Sequence, residues 1–268
     1  MFSTLMFFHL GYDARSSSPF ALMERVYFTH DLAKKGLRVR ARIEASQNAH
    51  DASKISFSFK IKDAYLQIDS PVLLRFGYQP ALFGFYDSFW GYRVLYKDVL
   101  GAFNLASTRD LGLSVGYSSG IFALRGMLSE AYIFGDGVYM VSGSASLEKS
   151  FFSVYGYSGL KFGKIPASGL GLLMIGLKFD PVKISFAGFY ANPRVGVSLT
   201  SVFRAAQRID LVLRADGIYD AQSRSSKGLG ILAVSFLGKG YKVIPNFVGK
   251  FSGNKLSDAV FRISFEWK

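Results

Sequence analysis

The chain has 268 residues, with 32 Lys and Arg against 19 Asp and Glu, a formal net charge of +13, no Cys, and a hydrophobic share of 50% rich in Phe and Tyr. Its 28 Gly exceed the usual ~7% share by about half, but only 7 Pro and no triplet period exclude collagen, and the apolar half excludes a disordered chain. Without Cys there is no disulfide scaffold, thiolate metal site or thiol nucleophile, and no stretch supplies the ~20 apolar residues of a spanning helix.

Residues 1–12 lack the basic start and small-residue cleavage site of a secretory leader; they read as part of a first strand, 2–14. A second is predicted at 21–33. Leu37-Arg38-Val39-Arg40-Ala41-Arg42-Ile43-Glu44 then alternates strictly, with three Arg and a Glu on one face, which predicts a strand over 37–47. A helix would spiral those charges round every side. In the fourth strand, 55–69, Phe57, Phe59 and Ile61 lie in one phase and Ala64, Leu66 and Ile68 in the other. That slip predicts a bulge near Lys62 and Asp63.

After a fifth strand at 71–79 comes the one long connection, Gln79 to Thr108, and a segment of that length in a compact fold is usually functional. Aromatics at 85, 86, 89, 90, 92 and 96 make it too apolar to hang in water, so it is expected to fold into the interior and narrow it. Further strands are predicted at 109–118, 121–131, 138–148, 151–162, 169–179, 182–192, 196–206, 208–219, 229–238, 241–251 and 257–267. Residues 169–179 are apolar in both phases and Pro245 interrupts 241–251, so a count of fourteen stays open beside sixteen.

Connections alternate between tight ones, such as Lys34-Lys35-Gly36 and Asp180-Pro181, and longer ones, such as Asn48 to Lys54, Pro193 to Val195 and Ser252 to Leu256. One edge of the sheet is thus bounded by turns and the other by loops, with both termini at the turn edge. This is the layout expected of an all-β chain forming one antiparallel transmembrane barrel over 1–268 in a bacterial outer membrane. Strand lengths near the ~9–11 residues of a tilted span agree. So do aromatics near segment ends: Tyr12, Tyr27, Tyr78, Tyr190, Tyr219, Tyr241 and Trp267. A soluble sandwich shares the alternation but predicts neither feature.

If the apolar phase meets lipid, the other lines the interior. It carries Arg38, Arg40, Arg42, Lys60, Lys62, Arg125, Lys183, Arg204, Arg214 and Arg262 against Glu44, Asp210, Asp216 and Glu266. Sixteen strands are wide enough to leave an aqueous channel, and a cationic wall raises the local concentration of anions. Asp87, Arg93, Lys97 and Asp98 of the long connection are the polar groups expected to meet a passing solute, although Asp87 and Asp98 read equally well as anchors to the wall.

Four runs carry a family resemblance: Lys62-Asp63-Ala64-Tyr65-Leu66, Leu74-Arg75-Phe76-Gly77-Tyr78-Gln79-Pro80, Trp90-Gly91-Tyr92-Arg93, and Ser107-Thr108-Arg109-Asp110-Leu111-Gly112-Leu113-Ser114-Val115. They resemble the bacterial porins related to the phosphate-selective porin O and P family, most specifically over residues 24–118. The resemblance implies a homotrimeric sixteen-stranded porin whose long loop, 79–108, constricts the channel, with phosphate as the preferred anion.

Other classes fit poorly. His9, His30 and His50 stand apart, without ligand spacing for a metal, and Gly169-Leu170-Gly171 lacks the strand-to-helix setting of a phosphate loop. No enzyme, cofactor or metal is therefore expected. A nucleic-acid binder would display aromatics beside its cations, whereas here they occupy opposite phases. The expectation is a passive channel for small anions; a non-conducting structural or adhesive barrel is the alternative.

Overall fold

The computed structural model describes residues 2–13, 18–51, 54–82, 109–130 and 137–267, and side chains from residue 26 on, apart from 46–51, 54–57, 109, 262 and 266–267. Alternation yields strands throughout: β1 (Phe2–Asp13), β2 (Ser18–Lys34), β3 (Leu37–Asp51), β4 (Lys54–Ile68), β5 (Val72–Pro80), β6 (Arg109–Ser119), β7 (Phe122–Glu130), β8 (Val138–Glu148), β9 (Phe152–Gly163), β10 (Ser168–Phe179), β11 (Val182–Ala191), β12 (Arg194–Ala206), β13 (Ile209–Asp220), β14 (Ser225–Leu237), β15 (Tyr241–Ser252) and β16 (Lys255–Trp267). Each pairs antiparallel with its neighbours in sequence, and β1 pairs with β16, so the sheet closes into a barrel. Closure leaves no strand edge unpaired. The count of sixteen stands and that of fourteen falls.

Three local irregularities have physical causes. Arg42 faces Asp63 while Ile43 faces Ile61, leaving Lys62 as the extra residue of a bulge, where the slip in phase placed one. Pro245 keeps register with Ile263 of β16, but the β14–β15 ladder lapses between the Ala233–Asn246 and Phe236–Val243 pairs. A residue without an N–H is tolerated at such a gap. At the first tight turn Lys35 (φ 48°) and Gly36 (φ 79°) both lie in the left-handed region, the conformation whose twist suits a two-residue hairpin.

The loop edge departs from expectation. Pairing continues to Asp51 opposite Lys54, to Ala191 opposite Arg194 and to Ser252 opposite Lys255, so the connections expected to be long there are only residues 52–53, 192–193 and 253–254. Ladder hydrogen bonds outweigh the turn-forming bias of Asn, Pro and Gly at those ends.

Outward-facing side chains are apolar and exposed on strand after strand, among them Val39 and Ile43, Leu173 and Ile175, and Leu211 and Leu213. Tyr117, Phe179, Phe203 and Tyr241 flank this band near the turns, and Tyr139, Tyr190, Tyr219 and Phe251 near the loops. Contiguous apolar surface far beyond a few hundred Å² is foreign to a protein in water; it is the lipid-facing surface of a barrel that crosses a bilayer. Tyr27 does not belong to the band. It faces inward opposite Glu44, with the Arg42 guanidinium 5.7 Å from its ring.

Candidate functional site

The lumen has two unlike walls. On β2–β7 the inward phase is polar and register sets its rows: Asp31, Arg40 and Tyr65 lie side by side, as do Thr29, Arg42 and Asp63. Asp31 accepts a hydrogen bond from Nη2 of Arg40 and stands 3.9 Å from Nε of Arg38. Arg42 donates from Nε to Thr29 at 3.0 Å and lies 3.4 Å from the Asp63 carboxylate. Beside the bulge, Lys62 reaches Glu44 at 3.1 Å. Charges paired this closely cancel over distances longer than the ~8 Å Debye length, so they shape the wall more than they polarise the water.

Two cations on this wall, Arg75 and Arg125, face no carboxylate among the described residues. Arg75 donates from Nε and Nη2 to the Gln67 side-chain oxygen at 2.9 and 2.6 Å, and its guanidinium lies 4.5 Å from the centre of the Tyr65 ring. Both are neutral acceptors of a fixed positive charge. Arg125 projects inward in the phase of Met127 and Ser129 and is exposed; opposite it, Gly116 leaves room for its stem. Lys60 is exposed and faces inward opposite Glu44.

The other wall, on β8–β15, is mostly apolar, with the Arg214–Asp216 pair, Ser198 and Asn246 set into it toward β12–β15. Met140, Tyr155, Tyr157, Leu170, Leu172, Met174, Ala187 and Phe189 form one cluster with Ala81, and Leu82 and Ile165 pack against it. Val212, Leu229, Ile231, Ala233 and Ile244 belong to a second. Strand β10 is apolar in both phases because one face meets lipid and the other this cluster. The Tyr155 hydroxyl donates to the Leu82 carbonyl, so the chain leaving β5 runs inward, toward the opposite wall. Gln79 fixes that departure: 1% exposed, it donates to the Gly112 carbonyl at 2.9 Å and accepts from the Ser114 hydroxyl at 2.7 Å.

Further polar groups stand at the two mouths of the apolar wall. Near the turns, Lys178, Lys183 and Arg204 line a cleft of about 310 Å³ together with Asp210, which Arg204 approaches to 3.2 Å. At the loop-side end of β13, beyond the aromatic band, Arg194 bonds the Asp220 carboxylate at 2.8 Å, and the Ser223 amide adds a second bond. The guanidinium, helped by that amide, holds the Asp220 carboxyl down at about 2.

All the predicted wall cations whose side chains are described occupy the inward phase, but they do not form one array. Arg38, Arg40, Arg42, Lys60, Lys62 and Arg125 stand on the polar wall; Arg204 lies at the turn-side mouth; Arg214 is buried in a bidentate pair with Asp216, at 2.7 and 3.1 Å. The side chain of Arg262, opposite Asn246 in register, and all of Asp87, Arg93, Lys97 and Asp98 lie outside the described residues. Six of the predicted positions pair locally with carboxylates, as each single wall cation could. Arg38, Arg40, Arg42, Lys62, Arg204 and Arg214 each have a carboxylate nearby, two of them through Asp31, which the count of inward acids omitted. Arg75 was missed as a wall residue although its alternation with Leu74 and Phe76 would have placed it. Among the described residues, no group of His, Asp and Glu could hold a metal.

No protein-family model and no curated protein matches the chain. Solved structures do. OmpT of Vibrio cholerae, folded in vitro, superposes with a TM-score of 0.75 at 9% identity, covering 99% of this chain and 96% of that one. The outer membrane channel DcaP of Acinetobacter baumannii gives 0.72 at 12% identity over 99% and 96%. An anion-selective porin from Comamonas acidovorans gives 0.71 at 12% over 100% and 99%. At such identities the likeness is one of fold, and it extends over nearly the whole of each chain.

Proposed function

We propose that this chain is an outer-membrane porin, a passive aqueous channel for small hydrophilic solutes that prefers anions and works as a homotrimer. The observation that carries the preference is the pair Arg75 and Arg125: inward-facing cations on one wall, with no carboxylate ion pair among the described residues. In a confined path such fixed charges concentrate anions and repel cations. The path follows the polar wall, because the apolar wall is covered where Ala81 and Leu82 pack on it. Residues 79–108 are the constriction, entering the lumen at Leu82. Guanidinium groups bind phosphate, sulfate and carboxylate alike; the resemblance in the Tyr65 and Arg75 segments speaks for phosphate. The similar fold of an anion-selective porin supports the general reading.

The same packing of Ala81 and Leu82 favours a second reading, a barrel filled tightly enough to be a non-conducting structural or adhesive element. Reversal potentials across planar bilayers in a KCl gradient separate the two. Anion-selective conductance that weakens in Arg75→Gln with Arg125→Gln is expected; cation selectivity, or silence from correctly folded barrels, overturns the channel.

A further inference from the structure

Five cations play no part in the lumen. Lys34 and Lys35 lie at the β2–β3 turn, Lys149 at β8–β9, Arg208 at β12–β13 and Lys239 at β14–β15; all are exposed and none has an acidic partner among the described residues. Of the acids on the same rim, Glu148 pairs with Lys178 at 2.8 Å, Asp69 accepts from the neutral Gln67 amide at 2.5 Å, and Asp180 is exposed. On the loop edge Arg194 and Lys250 are neutralised by Asp220 and Asp258, while Lys164, Arg224, Lys227 and Lys255 are exposed without an acidic partner among the described residues.

Immediately inside these turns runs the outward aromatic row of Phe179, Phe203, Phe236 and Tyr241. Such rings mark the boundary between acyl chains and headgroups. A cation one or two residues farther out therefore stands at the height of the lipid phosphodiester. Lys34 itself occupies the outward phase, opposite Leu37, where its stem can lie along lipid while the ammonium reaches the headgroups.

We infer that the turn-edge rim is a docking surface for anionic glycerophospholipid, its free Lys and Arg binding the phosphodiesters of the adjoining leaflet. This rests on the reading of the chain as a membrane barrel, and it adds a lipid preference that a channel does not require. Basic groups at a membrane surface are attracted to anionic headgroups, and salt screens that attraction.

The test uses the full chain and Lys149→Gln/Arg208→Gln/Lys239→Gln, each reconstituted in phosphatidylcholine with graded phosphatidylglycerol. Lipid retained per barrel is counted by native mass spectrometry, and folding is verified by the heat-dependent gel shift. Wild type is expected to enrich phosphatidylglycerol, and the triple variant to lose at least about tenfold of that preference, with single-channel conductance unchanged. Equal enrichment in both proteins overturns the proposal. So does an equal loss from Lys164→Gln/Arg224→Gln on the loop edge. Displacement of the lipid by millimolar inorganic phosphate would reveal a soluble-anion site instead and also overturn it. Folded barrels that enrich the lipid but do not conduct would sink the channel and leave the docking surface standing.

Discussion

The two walls of the lumen are built from the same alternating strands and differ in almost everything else. On β3–β7 the inward phase carries Arg38, Arg40, Arg42, Tyr65, Gln67 and Arg75 in hydrogen-bonded rows. Across the barrel the equivalent positions on β8–β11 are Met140, Tyr155, Tyr157, Leu172, Met174 and Phe189, all nearly or fully buried. A strand needs contrasting faces only when one of them meets water. The inner surface of this barrel is thus part solvent boundary and part protein core, and its exposed cations Arg125 and Lys60 stand on the solvent boundary.

The contrast can be broken from the apolar side with the largest effect. Met174→Asp puts an unpaired carboxylate at a site with 0% exposure, and should cost about 3–5 kcal/mol in reversible urea unfolding. Arg125→Met, the reverse exchange on the polar wall, should cost less than about 1 kcal/mol, because Arg125 is exposed there. Equal costs would erase the distinction between the walls. Next is Gly77→Ala on β5: at φ 124° a Cβ would stand 2.3 Å from the Ala64 carbonyl oxygen, for an expected loss of about 2 kcal/mol in the same assay.

Selectivity sharpens the comparison at smaller energies. Arg75→Gln keeps a polar side chain of similar reach but removes one charge; the anion-to-cation permeability ratio should fall about two- to threefold. Met140→Gln on the covered wall should leave that ratio unchanged in folded barrels. The smallest effect lies at the loop rim. The Asp220 carboxyl is held at about 2, below its ordinary value of 3.8, so whatever stability the Arg194 pair adds is present above pH ~4 and is lost as pH falls toward 2. Hydrogen-exchange protection of the β13–β14 connection, corrected for the intrinsic pH dependence of amide exchange, should fall across that window in wild type, and Asp220→Asn should abolish the pH step.

Much of the barrel was legible in the sequence because a period of two survives any local change of residue. Even the bulge at Lys62 announced itself, since the slip of Phe59 and Ile61 against Ala64 and Leu66 admits no regular strand. Loop lengths were less legible: Pro193 and Gly253 signal a turn without saying how far the flanking ladders pair before it. The candidate site was legible in phase and not in partnership. Alternation assigns Arg38 and Arg40 to the interior, but only register shows that Asp31 of β2 lies across from Arg40. The apolar half of the wall was the hardest to foresee, because a both-face apolar segment such as 169–179 looks like a failing strand until something is known to cover its inner side.

Closure of the sheet carries a consequence for how the molecule is made. Every ladder but one joins strands adjacent in sequence, and those with short connections can form as hairpins within microseconds. The seam pairs Met6 with Trp267 and Asp13 with Val260, so it must bring together the far ends of the chain and meet the full entropy of that loop before its first bond is made. Until then β1 and β16 each present an open edge, ready to pair with any other strand. The ladder that removes the last open edges is therefore the one with the longest chain segment to close.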